Sequence, residues 1–177
     1  MSKKDQLEKE LVDFLINLIP VEWTKIAFYG MGGTGTYTMF YGVREKETDI
    51  VVNMDTFRIR YDEYPYPVDD IPHSMIMKVV ALYNNAYEEY GDKVWHEFVC
   101  TIEENGEYKF EYIYPNSKEY KRMTQADIYE DFHRNDGKTK FMTRTEFLKK
   151  YLDSDYICVN SKYPSKEFVP AEKNHLL

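Results

Sequence analysis

At 177 residues, with 43% hydrophobic and 16% aromatic side chains, the chain can build one well-cored domain and is short for two. Its net charge of −8 concentrates in the middle, where residues 61–120 carry 4 Lys/Arg against 13 Asp/Glu while both flanking thirds are near balance. That distribution excludes the basic footprint of a direct nucleic-acid binder, and it suits a basic protein partner as well as a plain solvated surface.

Residues 5–19 set Leu7, Leu11, Phe14, Leu15 and Leu18 at helical spacing, Ile16 and Ile19 widen the stripe, and Pro20 stops the helix. Lysines ahead of this apolar run resemble a signal peptide, but Asp13 interrupts the run and no small-residue cleavage site follows. No apolar stretch reaches membrane-spanning length, so the reading is a cytoplasmic protein with no membrane partner.

Strands are predicted from Trp23 to Tyr29 and from Thr36 to Val43, rich in Thr, Tyr, Phe and Ile. Between them Gly30–Gly35 reads GMGGTG, which fits the dinucleotide fingerprint letter for letter. The fingerprint needs a helix after it to meet the pyrophosphate, whereas β-branched and aromatic residues follow here, so the glycines read as a flexible hairpin loop. A third strand includes Ile50-Val51-Val52, and a fourth runs from Phe57 to Tyr61.

Residues 61–72 form a connection that prolines keep extended, and Asp69 or Asp70 suits the cap of the following helix better than a catalytic carboxylate pair. That helix runs from about Pro72 to Tyr90, with Ile76, Val79, Val80, Tyr83, Ala86, Tyr87 and Tyr90 as its apolar face and Gly91 as its stop. A hairpin follows from Val94 to Tyr114. A three-residue loop with Gly106 left-handed pairs Ile102 with Tyr108, Cys100 with Phe110 and Phe98 with Tyr112, which keeps one face apolar. Cys100 on that face reads as a small hydrophobe, and with Cys158 it makes neither a disulfide framework nor a metal site.

Beyond the hairpin, Thr124–Asp127 and Thr143–Glu146 look like capping boxes opening short helices, and Tyr156–Val159 a short strand before a polar tail. Asp131, His133, Asn135 and Gly137 resemble a calcium loop, but the turn glycine falls one position late and Met142 stands where the chelating Glu belongs. The four histidines lack metal-ligand spacing, and neither a nucleophile elbow nor a phosphate loop is present. The residues by themselves describe an α+β domain over 1–177 that is not an enzyme and needs no cofactor, metal or small-molecule ligand. Its antiparallel sheet, built on hairpins, carries the helices at 5–19 and 72–90 on one face.

Two stretches together carry a family resemblance. Leu18-Ile19-Pro20-Val21-Glu22-Trp23 runs a helix end into a strand, and Tyr87-Glu88-Glu89-Tyr90 is followed by Trp95 and the Phe98–Tyr112 hairpin. In that order they resemble the YezG-like immunity proteins, over roughly residues 5–114, with 115–177 a divergent helical part and polar tail. The resemblance implies an antitoxin that neutralises a cognate nuclease toxin by stoichiometric binding. It supplies no inhibitory residue set, so the candidate contacts rest on charge and position. They are Asp62, Glu63, Asp69 and Asp70 before the second helix, with Tyr64 and Tyr66 as anchors, and Glu103, Glu104 and Glu107 at the hairpin tip. Two alternatives stand beside it: a structural or regulatory module with an unrelated partner, and a metal-dependent nuclease or hydrolase using His133 with Asp127, Glu130 or Asp131.

Overall fold

The computed structural model describes residues 1–19, 21–32, 38–47, 51–53, 70–114, 122–123, 141–142, 144–153, 156–158 and 169–170. Helix α1 (Lys3–Leu18) opens on a capping box: the Ser2 hydroxyl accepts from the Asp5 amide, and the Asp5 carboxylate accepts from the Ser2 amide. Those hydrogen bonds hold the Asp5 carboxyl below its ordinary value. Strands β1 (Trp23–Met31), β2 (Thr38–Glu45) and β3 (Val51–Asn53) follow, then helix α2 (Asp70–Tyr90) and a single 3-10 turn at Gly91–Lys93. The hairpin is β4 (Glu97–Glu103) and β5 (Tyr108–Ile113). After it come the short pair β6 (Arg122–Met123) and β7 (Phe141–Met142), helix α3 (Arg144–Leu152), β8 (Tyr156–Cys158) and β9 (Val169–Pro170).

The main sheet has the order β5-β4-β1-β2-β3-β8-β9 and is antiparallel apart from the β3–β8 pair. The hairpin register is the predicted one, with Ile102 opposite Tyr108, Cys100 opposite Phe110 and Phe98 opposite Tyr112. Gly106 turns the loop at φ +84°, its amide donating to the Glu103 carbonyl at 2.9 Å, while the Glu103 amide donates to the Glu107 carbonyl at 2.8 Å. A side chain at that φ would be strained, so glycine is the residue the turn demands.

Alternation along the strands divides the interior in two. Ile26, Phe28, Tyr41, Val43, Phe98, Cys100 and Ile102 face α1 and α2, which bury Leu11, Leu15, Leu18, Met75, Val79 and Leu82 against them. Ala27, Tyr29, Met31, Phe40, Val51 and Val99 face the other way, onto Phe147, Leu148 and Leu152 of α3. The two helices expected on one face are therefore there, and the third covers the back of the central strands. Phe147 meets Phe40 edge-on at 5.7 Å, and the Arg44 guanidinium donates to the Leu152 carbonyl at 3.4 Å, where a cation suits the helix terminus.

Rings dominate the first core. Phe98 lies 5.8 Å from Phe28, 5.3 Å from Trp95, 5.4 Å from Phe110 and 5.9 Å from Tyr112, centroid to centroid. Its edge rests on Gly30, where a Cβ would stand 2.5 Å from two ring carbons. Gly32 is bare for the same reason, since a Cβ there would meet the nearest Tyr83 ring carbon at 2.8 Å. The first two glycines of GMGGTG thus belong to packing, and Gly30 lies inside β1 instead of in a loop. Residues 33–37 are outside the described set, as are the predicted strand at 57–61, the capping boxes at 124 and 143, and the 131–137 segment.

Two other sequence expectations shift. Helix α2 begins at Asp70, two residues early. Its buried stripe is Met75, Val79, Leu82, Tyr83 and Ala86, whereas Tyr87 and Tyr90 are 47% and 53% exposed. Each helical residue turns ~100°, so Val80 and Tyr87 fall about a quarter turn off that stripe. Cys100 is buried as expected, and burial pushes its thiol well above the usual range, so it stays protonated and unreactive.

Tyr112 ties α1 to the hairpin, its hydroxyl donating to the Glu8 carboxylate at 2.6 Å beneath Lys4, whose ammonium sits 4.7 Å from the ring. Burial, then the bond to Glu8 and its charge, raise the phenol far above its ordinary value of 10.0. The neutral phenol is therefore what the fold holds, so this contribution is complete below pH 10.0 and is lost as pH climbs beyond it.

Gly30→Ala is expected to cost about 1–3 kcal/mol in urea denaturation, and less in a Phe98→Leu background that vacates the ring edge. Fully additive costs would show that the close approach is not what selects glycine. Tyr112→Phe is expected to cost about 1.5–3 kcal/mol at neutral pH, because the bond has a charged acceptor. Its stability should also decline less steeply than wild type above pH 10.0, and an unchanged alkaline limb would remove Tyr112 from the account.

Candidate functional site

The hairpin tip stands at the end of the sheet where β1 begins. Strand register brings Lys25 opposite Glu103, and the Lys46 amide donates to the Glu22 carbonyl at 3.0 Å, closing the β2 end over the β1 start. Helices α1 and α2 run antiparallel: Lys3 approaches Glu88 at 4.0 Å at one end, and Lys78 stands over the Phe14 ring at the other. Asp70 therefore opens α2 at the end where α1 finishes and leads into β1. Of the predicted contacts, Asp70, Glu103, Glu104 and Glu107 are gathered toward one end of the molecule, while Asp62, Glu63, Tyr64, Tyr66 and Asp69 lie outside the described residues. So do Asp127, Glu130, Asp131 and His133 of the nuclease alternative.

All three tip glutamates are exposed, but they do not form a bare acidic patch. Glu103 pairs with Lys25 at 3.0 Å and Glu104 with Lys46, whose ammonium that bond and charge hold above its ordinary pKa. Glu107 has no ion pair among the described residues, its amide being taken by the Asn105 side chain at 2.9 Å. The Glu22 charge also acts on Lys46, so Glu22, Glu103, Glu104 and Glu107 outnumber Lys25 and Lys46 at this end of the sheet. Exposed pairs of this kind contribute little to stability, about 0–1 kcal/mol as a class. A shallow cleft of about 540 Å³ opens beside the tip, lined by Thr101, Glu103, Gly106, Glu107, Tyr108 and Lys109.

Two surface features escaped the sequence reading. A groove of about 460 Å³ between α1 and α2 is lined by Leu7, Phe14, Met77 and Lys78 among others, with Met77 51% exposed. At the far end of α2, exposed Tyr87, Tyr90 and Tyr114 accompany Glu88 and Glu89; Tyr87 stacks on Tyr83 at 6.2 Å, and the Glu89 bond raises the Tyr90 phenol. Helical phase was the signal available: a stripe centred on Val79 and Leu82 leaves Tyr87 outside it. Among the described residues, no group of His, Cys, Asp and Glu is placed to hold a metal ion, and no helix is long and apolar enough to cross a membrane.

The model of one family, Immunity protein YezG-like, matches residues 5–149. The chain belongs to the YezG-like immunity protein family. The match begins in the first turns of α1 and ends inside α3, passing residue 114, where the residue-by-residue resemblance ran out. The YezG-like unit therefore takes in both helices of the first core and the start of the helix that covers the second. Comparison with curated proteins returns no match.

Proposed function

We propose that this YezG-like chain is an antitoxin that neutralises a cognate bacterial toxin by one-to-one binding in the cytoplasm, with no catalytic activity or cofactor of its own. Membership of the immunity family carries this reading. The toxin is a nuclease: such an enzyme presents a cationic cleft to its substrate, and the acid surplus of residues 61–120 complements it. The hairpin end meets that cleft, with Glu107 unpaired among the described residues and Glu103 and Glu104 exchanging Lys25 and Lys46 for cations of the toxin. Asp62, Glu63, Asp69 and Asp70 extend the acidic surface, and Tyr64 and Tyr66 anchor it.

A second reading places the contact at the opposite end of α2. It is favoured by one observation: two tip glutamates already have lysine partners, whereas Tyr87, Tyr90 and Tyr114 are exposed beside Glu88 and Glu89.

Co-expression with the toxin encoded beside it is expected to rescue growth, and the purified pair to bind with an association rate that falls as salt rises. Glu103→Gln/Glu104→Gln should slow association severalfold and flatten its salt dependence, whereas Tyr64→Ala should speed dissociation. If both variants bind as wild type while Tyr87→Ala/Tyr90→Ala does not, the second reading replaces the first. Failure to bind or rescue overturns the antitoxin assignment.

A further inference from the structure

Strand β5 ends the sheet, so among the described residues its outer side has no strand partner. Which backbone groups it presents there follows from the turn. The Glu103 amide donates to the Glu107 carbonyl, and antiparallel pairs alternate between hydrogen-bonded and open. Lys109, Glu111 and Ile113 therefore bond inward to β4, opposite Thr101, Val99 and Glu97. The amides and carbonyls of Tyr108, Phe110 and Tyr112 point outward.

Side chains alternate in step with this. Lys109 and Glu111 project on the face away from α1, 2.7 Å apart, their side chains 70% and 43% exposed. Tyr108, Phe110 and Tyr112 line the other face as a row of rings, with centroid spacings of 6.1 Å and 5.8 Å. The strand thus reads aromatic, lysine, aromatic, glutamate, aromatic, and that order is self-complementary when reversed.

We propose that β5 is a homodimer edge at which a second copy of this chain pairs antiparallel about a two-fold axis through Phe110. In that register Phe110 faces Phe110 of the second copy, and Tyr108 faces its Tyr112. All of these are positions whose backbone groups point outward, so each pair closes two hydrogen bonds. Lys109 then stands opposite Glu111 of the second copy, and Glu111 opposite its Lys109, at the open pairs where side chains approach most closely. Moving the axis to Tyr108 sets Glu111 against the turn residue Asn105 and engages fewer strand residues, so the Phe110 axis is preferred.

Helix packing permits the arrangement. Two helices share the first face of the sheet, and Glu8 and Lys4 of α1 reach Tyr112, which puts α1 on the β4–β5 side. A helix covers ~10 Å, close to two strand spacings of ~4.8 Å, so edge pairing sets α1 beside its copy at ordinary helix separation. Like charges would otherwise make this edge self-repelling, which is how edge strands are commonly kept apart. Here the alternation of Lys109 and Glu111 turns the same device into a selector of one register.

The inference stands apart from toxin binding and is tested on the full chain alone by sedimentation equilibrium from low micromolar to submillimolar concentration. Wild type is expected to dimerise reversibly. Lys109→Glu and Glu111→Lys, each alone, should weaken the dimer about five- to thirtyfold by setting like charges opposite one another at two symmetric places. The double exchange Lys109→Glu/Glu111→Lys should restore it. Tyr108→Pro should abolish it while circular dichroism stays native, because the amide it removes points away from β4. A wild type that is monomeric throughout, or a dimer that either single charge change leaves intact, or that the double exchange does not restore, overturns the proposal. So does a monomer whose β5 amides become protected only when toxin is added, which would make the toxin the occupant.

Discussion

Everything in this fold leans on Phe98 resting against the bare backbone of Gly30. Strand β1 is the middle of the antiparallel half of the sheet, and β4 pairs with it through seven consecutive residues from Lys25–Glu103 to Met31–Glu97. Facing residues on adjacent strands normally hold their Cβ atoms apart, and a fully buried phenyl ring needs space that a second side chain would occupy. Removing the side chain at residue 30 lets the ring lie across β1, where Phe28, Trp95, Phe110 and Tyr112 close around it. Ring contacts of this kind add roughly 0.5–1.5 kcal/mol each beyond area burial. The cluster therefore fixes where β4, β5 and the end of α2 sit relative to β1.

That fixed frame is what gives the hairpin its reach. Glu103, Glu104 and Glu107 are held by a turn whose own bonds involve only backbone and the Asn105 side chain, so they can change partners without disturbing the core. The two faces divide the labour differently. Helices α1 and α2 seal the aromatic side, and α3 seals the central strands behind, leaving Thr101, Glu103, Lys109 and Glu111 of the hairpin's back face at least partly exposed. The tip and the β5 edge are thus both assembled from the same hairpin.

Much of this was legible in the chain. The hairpin register followed from keeping Cys100, Phe98 and Ile102 on one face, and Gly106 marked the place in that loop for positive φ. Helix α1 declared itself through Leu11, Leu15 and Leu18, though Ser2 and Asp5 carried its start two residues earlier than the apolar pattern did. The role of Gly30 was not legible, because a missing Cβ acquires meaning only from a ring about 70 residues away in sequence, and local spacing made it look like a loop. Tyr87 and Tyr90 misled for a related reason: tyrosine counts as apolar in a pattern, yet its hydroxyl favours positions half in water. Glu104 and Glu107 do lie on the connection, whereas Glu103 is the last residue of β4. The lysine partners of Glu103 and Glu104 come from β1 and the turn after β2, contacts no local reading contains.

The central claim is that the hairpin end of the sheet is the surface this protein presents to its toxin. Hydrogen–deuterium exchange of the chain, alone and saturated with its cognate toxin, tests that most directly. The account predicts that protection on binding concentrates in Glu103–Glu107, the turn at Lys46–Glu47 and the first turn of α2 from Asp70. Protection confined to Tyr87–Gly91 and Tyr114, with the hairpin tip exchanging as in the free protein, would contradict it.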